Sequence, residues 1–386
     1  MKILGIETSC DETAAAVVKD GVKILSNAVV SQIDIFAEYG GVIPEVAARS
    51  HLEVILPVID KALFDAKCSW DDIDAIAVTH APGLLGSLLI GTLTARTLAI
   101  LHCKPLYAVH HLKSHVYANW LGVGEFENTS LRNAPSLPSS RGSIAPVVAR
   151  CHKGSSERYF SNSPLFPLLA LVVSGGHTQI LYMRGHNRFE IIGTTRDDAV
   201  GECFDKVAKI LGLPYPGGPS IAKAAMEGVD KYPLPHPNVA GLDFSFSGLK
   251  TAVLRAVQKE LKLPISHPSH DLHNHLSPEQ VADFAASFQK TAVEILLKKI
   301  DKALELHPEV KSIVVAGGVS ANQELRKEAR RKLPKELPIY FPEPTLSGDN
   351  GAMVAAAGFF EIQSGVAQTD PYKLNIYPRV SIEKEG

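Results

Sequence analysis

LALVVSGGHTQILYM (169–183) decides the architecture. Five apolar residues run into Ser174-Gly175-Gly176-His177, and a second apolar run returns from Thr178. That is two buried strands joined by a glycine turn, a hairpin. The same reading applies to KILGIETSCDETAAAVV (2–18), with strands at 2–7 and 14–18 around the turn 8–13, and a further turn at 19–21 before a strand at 22–25. A third strand-turn unit, with the Gly317-Gly318 pair in SIVVAGGVSANQELR (312–326), joins a strand at 312–316 to a helix expected near Ala321.

Between these units the periodicity alternates. Residues 44–64 have helical apolar spacing, with Pro44 suited to a first turn. AIAVT (75–79) reads as a buried strand, APGLLGS opens a long apolar helix to about residue 101, and 106–109 is a short strand running into HHLKSHVYANW. A last helix is expected over about 350–363. This alternation indicates a mixed α/β layer structure. Residues 122–164 break it: they are rich in Ser, Pro, Asn and Gly, lack periodicity, and read as a flexible insertion whose shortening should leave folding nearly intact. No internal repeat of solenoid period is present.

Composition narrows the class. The 386 residues are 45% hydrophobic and 21% charged with a formal net charge of −2, so no global basic field advertises nucleic acid. Any RNA surface must then be local or completed by a partner. The five cysteines are scattered without a CxxC pair, against a disulfide framework or cysteine zinc site. No apolar run reaches the length of a transmembrane helix and the chain opens directly on a strand, so a cytoplasmic protein without membrane contact is the expectation.

Three strand-turn units, two of them with a Gly-Gly pair, suggest handling of an anion, because glycine lets backbone N–H groups approach phosphate closely. Neither GxxxxGK[ST] nor GxGxxG occurs, which sets aside the common NTPase and dinucleotide folds. His111 and His115 are spaced i, i+4, so a helix projects both imidazoles from one face at metal-ligand spacing. An ordinary surface helix with two histidines has the same pattern, and the adjacent His110 leaves the inward-pointing member open. The glutamate of HExxH is missing, since Leu112, Lys113 and Ser114 intervene. Asp349, in TLSGDNGAMVA, is a candidate third ligand, or alternatively the N-cap of the last helix. Two histidines and a carboxylate leave coordination positions open for substrate oxygens.

GIETSCDETAAAV, GGVIPEVAARSH, THAPGLLGSLLIG, HHLKSH, LVVSGGHTQ, GECFDKVAKILGLPYPGGP, DFSFSGLKTA, VVAGGVSANQELR and SGDNGAMVA occur in this order from residue 4 to about 355. Together they closely resemble the TsaD family of tRNA threonylcarbamoyladenosine synthases, and TSCDET and YPGGP look like its bacterial branch. The resemblance implies an actin/heat-shock-ATPase/sugar-kinase-like (ASKHA) α/β fold of two subdomains around a nucleotide cleft. Residues 1–121, completed by 345–375, would form the first subdomain and 165–344 the second. It implies a divalent metal, Fe2+ in preference to Zn2+, on His111, His115 and Asp349. Val172, Val173, Ser174, Gly175, Gly176, Asp205, Gly218 and Asn322 would line the adenylate site. The implied reaction passes a threonylcarbamoyl group from threonylcarbamoyl-adenylate to N6 of adenosine 37 in tRNAs reading ANN codons and releases AMP, with TsaB-like and TsaE-like partner proteins.

The acceptor amine is a poor nucleophile and the donor a mixed anhydride, so positioning and charge stabilisation carry the chemistry. Asp11 and Glu12, on the first turn, and His177, on the second, are the candidate acid–base groups. A metallopeptidase, a sugar-kinase-like phosphotransferase and a non-catalytic paralogous scaffold are the competing readings. Two histidine- or base-rich stretches read more plainly. SHPSHDLHNH (266–275) reads as a proline-marked loop with incidental metal affinity rather than a designed site, and RKEARRKLPK (326–335) as a solvated helix face rather than a contact for phosphate backbone.

Overall fold

The structure is a computed structural model and describes residues 1–122, 163–268 and 271–382. The expected insertion lies outside the described residues apart from Gly122, Ser163 and Pro164.

Two five-stranded mixed sheets organise the chain. The first contains β1 (Lys2–Glu7), β2 (Glu12–Lys19), β3 (Lys23–Ser31), β4 (Ala75–Ala81) and β5 (Leu106–His110). The second contains β6 (Leu168–Val173), β7 (Thr178–Gly185), β8 (Arg188–Thr194), β9 (Ser312–Ala316) and β10 (Ile339–Tyr340). Their orders, β3-β2-β1-β4-β5 and β8-β7-β6-β9-β10, carry the same sequence of pairings: two antiparallel, then two parallel. The second sheet thus repeats the topology of the first, with the glycine hairpin 174–177 standing where turn 8–11 stands.

Helices α1 (Ile33–Tyr39), α2 (Pro44–Asp65), α3 (Leu85–Leu101) and α4 (His111–Tyr117) belong to the first half. The second half holds α5 (Val200–Ile210), α6 (Gly217–Ala225), α7 (Ser247–Glu260), α8 (Pro278–Leu306) and α9 (Gln323–Lys332), before α10 (Gly351–Gln363). Local chemistry fixes several starts. Ser277 and Gln280 form a capping box ahead of α8, with Pro278 in its first turn. The helix expected near Ala321 begins two residues later, at Gln323. Gly317, at φ 87°, first turns the chain into a short 3-10 segment (Gly318–Ala321), and the Asn322 side chain caps α9 through Leu325 N–H.

Burial explains why β6 reads as continuous hydrophobic sequence. Leu169, Leu171 and Val173 face one core, Leu168, Ala170 and Val172 the other, so both faces are covered. The second of these cores takes residues from both sheets, including Ile3, Ala16 and Val109 of the first, and encloses α4 and α10.

α10 returns to the first sheet through a close glycine contact. A Cβ on Gly5 would sit 2.2 Å from Gly351 O, and one on Gly351 would sit 2.5 Å from Ala16 N. Only missing side chains let helix and strand approach so far. This contact delivers residue 349 to the first half. The likeness of the whole to an ASKHA α/β fold is taken up with the comparisons below.

Candidate functional site: a histidine–carboxylate centre beside two turns

The site begins where β5 passes without a linker into α4. His110 ends the strand and caps the helix: its Nδ1 accepts Leu112 N–H at 3.2 Å, and its Nε2 lies 3.4 Å from Val380 O. The next two histidines form a pair: the rings of His111 and His115 stand 4.5 Å apart at 75°. Every residue of α4 is buried, so the surface-helix alternative for these histidines does not apply.

Asp349 meets both. Its Oδ1 is 3.1 Å from His115 Nε2 and 3.6 Å from His111 Nε2. The N-cap of α10 is Asn350, whose Oδ1 accepts Met353 N–H at 2.9 Å; the capping role expected as an alternative for Asp349 thus falls to its neighbour and leaves the carboxylate free. Arg326 anchors the segment leading to it, donating to Pro342 O at 2.7 Å and Ser347 Oγ at 3.4 Å. This buried guanidinium comes from the stretch read as a solvated helix face, and at this position that reading is wrong.

Glu7, which the sequence reading missed, orients the pair from behind. It is fully buried at the end of β1 and accepts Ser9 N–H and, at 2.6 Å, Thr79 O–H. Its Oε2 is 3.3 Å from His111 Nδ1, which also lies 3.1 Å from Ser9 Oγ. The available signal was a carboxylate closing an otherwise apolar strand. Burial opposes ionisation of Glu7, yet the His111 imidazole holds its pKa below the usual carboxylate range. Burial likewise opposes charge on His111, but Asp349 and Glu7 outweigh it and hold the imidazole at about 9. Asp349 is kept at about 2 against its own burial, chiefly by His111 and His115.

The donor set fits a divalent metal. With His111 Nδ1 turned to Glu7 and Ser9, its Nε2 faces Asp349. Both ring nitrogens of His115 are buried without a hydrogen bond, although Nε2 is close to the carboxylate. Unpaired buried nitrogen costs about 1–3 kcal/mol, a penalty that coordination removes. All three donor atoms lie within 4.8 Å of one another.

Two turns flank this centre. His51, on α2, supports the first: its Nδ1 is 2.7 Å from Thr13 Oγ1 and its Nε2 2.9 Å from Cys10 O. Glu12 is pushed up to about 10, first by burial and then by Asp349 and Asp11, to which it is hydrogen-bonded. Asp11, Cys10 and Glu12 also raise Tyr215, after burial, so the turn lies within electrostatic reach of the α5–α6 connection. The second turn is closed by Ser174 N–H donating to His177 O at 2.8 Å, with Gly175 and Gly176 exposed. His177 lines a surface cavity of about 920 Å³ with Pro44, Leu84, Leu85 and Arg379. Burial, then His111, His110 and His115, hold its pKa at about 3, so it is a neutral ring.

A family model described as TsaD, tRNA N6-adenosine threonylcarbamoyltransferase, matches residues 23–130 and 151–356. The chain belongs to the TsaD family. It is 46% identical over 367 residues to the tRNA N6-adenosine threonylcarbamoyltransferase of Symbiobacterium thermophilum, covering 94% of this chain and 92% of that protein. The like-named protein of Dehalococcoides mccartyi is 44% identical, with 99% of each chain covered. Among solved structures, HypF from T. kodakarensis superposes with a TM-score of 0.56 at 15% identity, over 97% of this chain and 49% of that one. The duplicated sheet and this likeness give the TsaD-family chain the actin/sugar-kinase-like fold expected of it.

Within that fold the residues implied for the adenylate site separate. Ser174, Gly175, Gly176 and Gly218 keep accessible surface, and a Cβ on any of the three glycines would meet nothing within 4 Å. Asp205 is partly buried, its Oδ1 accepting Gly217 N–H at 2.7 Å; burial raises its pKa. Val172 and Val173 are fully buried in β6 with their side chains in the cores, so any contact they make with a ligand is through the backbone at the end of the strand. Asn322 is engaged at both ends, by Leu325 N–H and by Gln289 Oε1 at 2.8 Å. Among the described residues no helix is long and apolar enough to cross a membrane.

Proposed function

We propose that this TsaD-family chain transfers the threonylcarbamoyl group of threonylcarbamoyl-adenylate to N6 of adenosine 37 in tRNA, releasing AMP, in the cytoplasm. The convergence of His111, His115 and Asp349 between a carboxylate turn and a glycine turn carries this reading. Those three residues would hold a divalent metal; two imidazoles and one carboxylate suit either Fe2+ or Zn2+, and the resemblance to the TsaD family favours Fe2+. Such an ion would supply a Lewis acid and template for the donor's oxygens.

The chain's own groups do the rest. Backbone N–H groups of Gly175 and Gly176 bind the phosphate, and the free oxygen of Asp205 takes a ribose hydroxyl. Glu12 keeps its proton and shares it with Asp11, so acceptance of the N6 proton falls to Asp11 while Glu12 orients it. His177, neutral, screens the mouth and donates or accepts one hydrogen bond there. No side chain between the two histidines is placed as the base a peptidase needs; Glu7 sits behind His111, on the side away from Asp349.

A TsaB-like partner completes the assembly, with a TsaE-like protein acting in the cycle. The support is an exposed apolar face on the adjacent helices α2 and α3: Leu52, Leu56, Leu85, Leu89 and Leu93, spaced four apart. Reconstitution tests the proposal: the purified chain, threonylcarbamoyl-adenylate, both partners and unmodified tRNA should yield the modified nucleoside and AMP. Peptide cleavage by metal-loaded chain, or AMP release without nucleoside product, overturns it.

A further inference from the structure

SHPSHDLHNH (266–275) connects α7 to α8, and the fold gathers three of its side chains. Asp271 Oδ1 accepts Asn274 Nδ2–H at 2.7 Å, which turns Oδ2 toward two imidazoles. His275 Nε2 lies 3.4 Å from that oxygen and His267 Nε2 3.7 Å. The rings of His267 and His275 stand 5.8 Å apart at 72°, and all three donors fall within 4.8 Å of one another. His267 Nε2 is buried and makes no hydrogen bond.

The loop is tied down on either side. Gln258, itself buried, donates to Ile265 O at 3.1 Å and His267 O at 3.3 Å, while Leu272 sits in the core. His273 packs over Gly212, where a Cβ would come within 2.7 Å of it. His267 therefore enters from an anchored backbone with its donor nitrogen turned in.

We propose that His267, Asp271 and His275 form a second divalent-metal site, of zinc type, that fastens the α7–α8 connection. A tetrahedral ion with bonds of about 2.0–2.2 Å spaces its donors roughly 3.4 Å apart. The two carboxylate–imidazole separations already match. The imidazole pair must close by up to roughly 1.4 Å, which rotation of the exposed His275 ring supplies. Water fills the fourth position. The site removes the cost of the unpaired His267 nitrogen and links residues on both sides of the loop, so its effect is on the stability of this connection rather than on transfer.

The test titrates Zn2+ into the full chain stripped of metal and counts ions retained after gel filtration. Two equivalents are expected in the unaltered chain and one in the H267A/H275A pair. D271N, which keeps the loop's shape, should lower affinity for the second equivalent at least tenfold. In an H111A/H115A background, Zn2+ should raise the thermal midpoint, and adding H267A should abolish that rise. One equivalent in the unaltered chain overturns the proposal. So do two in H267A/H275A, or an unchanged zinc response after H267A.

Discussion

Gly351→Ala should detach the carboxylate from the metal centre without touching a ligand. Its Cβ would fall 2.5 Å from Ala16 N, 2.6 Å from Ala15 C and 2.8 Å from Ala15 Cα. All are backbone atoms of β2, which pairs with β1 on one side and β3 on the other, so the strand cannot yield. Ordinary contact therefore requires the start of α10 to retreat by roughly 1 Å, and overpacking of this kind costs about 1–3 kcal/mol. Asp349 lies two residues upstream and moves with it. Metal sites tolerate about 0.2 Å in ligand distance, so the displacement is several times too large. Metal affinity should fall about 10- to 100-fold, the range seen when support around a ligand is lost. Equilibrium dialysis against a competing chelator, alongside thermal unfolding, reads both effects. Gly348→Ala is the control: it is one residue from Asp349 on the other side, but its Cβ meets nothing within 4 Å, and stability should stay within about 0.5 kcal/mol. A folded G351A chain with unaltered metal affinity would refute the argument that glycine contact positions Asp349.

Three further outcomes follow from the same geometry. Glu7→Gln keeps the shape but removes the charge behind His111, so metal affinity should drop about 10- to 100-fold and its pH profile should change; an unchanged titration would show that Glu7 only packs. In the metal-stripped chain the folded pKa of His111, about 9, exceeds the ordinary 6.5. The stability it contributes is complete below about pH 6.5 and lost as pH rises through 9, on the order of 3 kcal/mol. Glu12, raised to about 10, acts in the same direction from about pH 4.5 upward. Thermal midpoints should fall from pH 6.5 to 9.5, and less steeply in H111Q; a flat profile would contradict the carboxylate–imidazole coupling. Finally, Arg326→Met leaves the Ser320 and Pro342 carbonyls without their donor and should cost roughly 2–4 kcal/mol by denaturant unfolding, with weaker metal binding. Metal binding at full strength would detach Arg326 from the site.

What the sequence disclosed follows from the range of the interactions. The i, i+4 spacing of His111 and His115 is local, and helical period alone puts both rings on one face. The hairpins were legible for the same reason, since glycine turns and apolar runs are short-range signals. Asp349 is different: GDNGA offers two adjacent caps, and only the approach of α10 to β1 decides that Asn350 caps and Asp349 meets the two histidines. Glu7 was hidden because strand patterning counts apolar residues and treats a terminal carboxylate as an edge. Val172 and Val173 show the limit of a motif read as side chains: theirs are committed to the cores, which leaves only backbone atoms to face the turn. The duplication of the sheet left no trace in periodicity, because topology repeats here without the residues repeating.

That duplication gives the cleft a direction. The turns after β1 and β6 hold the same place in their sheets, but one brings Asp11 and Glu12 and the other brings two bare glycines. The phosphate of the adenylate proposed above would be favoured at the amide side and disfavoured beside the acidic turn, which would set one orientation. Its anhydride carbon would then face the acidic side, where the incoming amine would give up its proton. Equivalent scaffolding on both sides, acidic at one tip and bare backbone amide at the other, would then sort donor from acceptor before any bond changes.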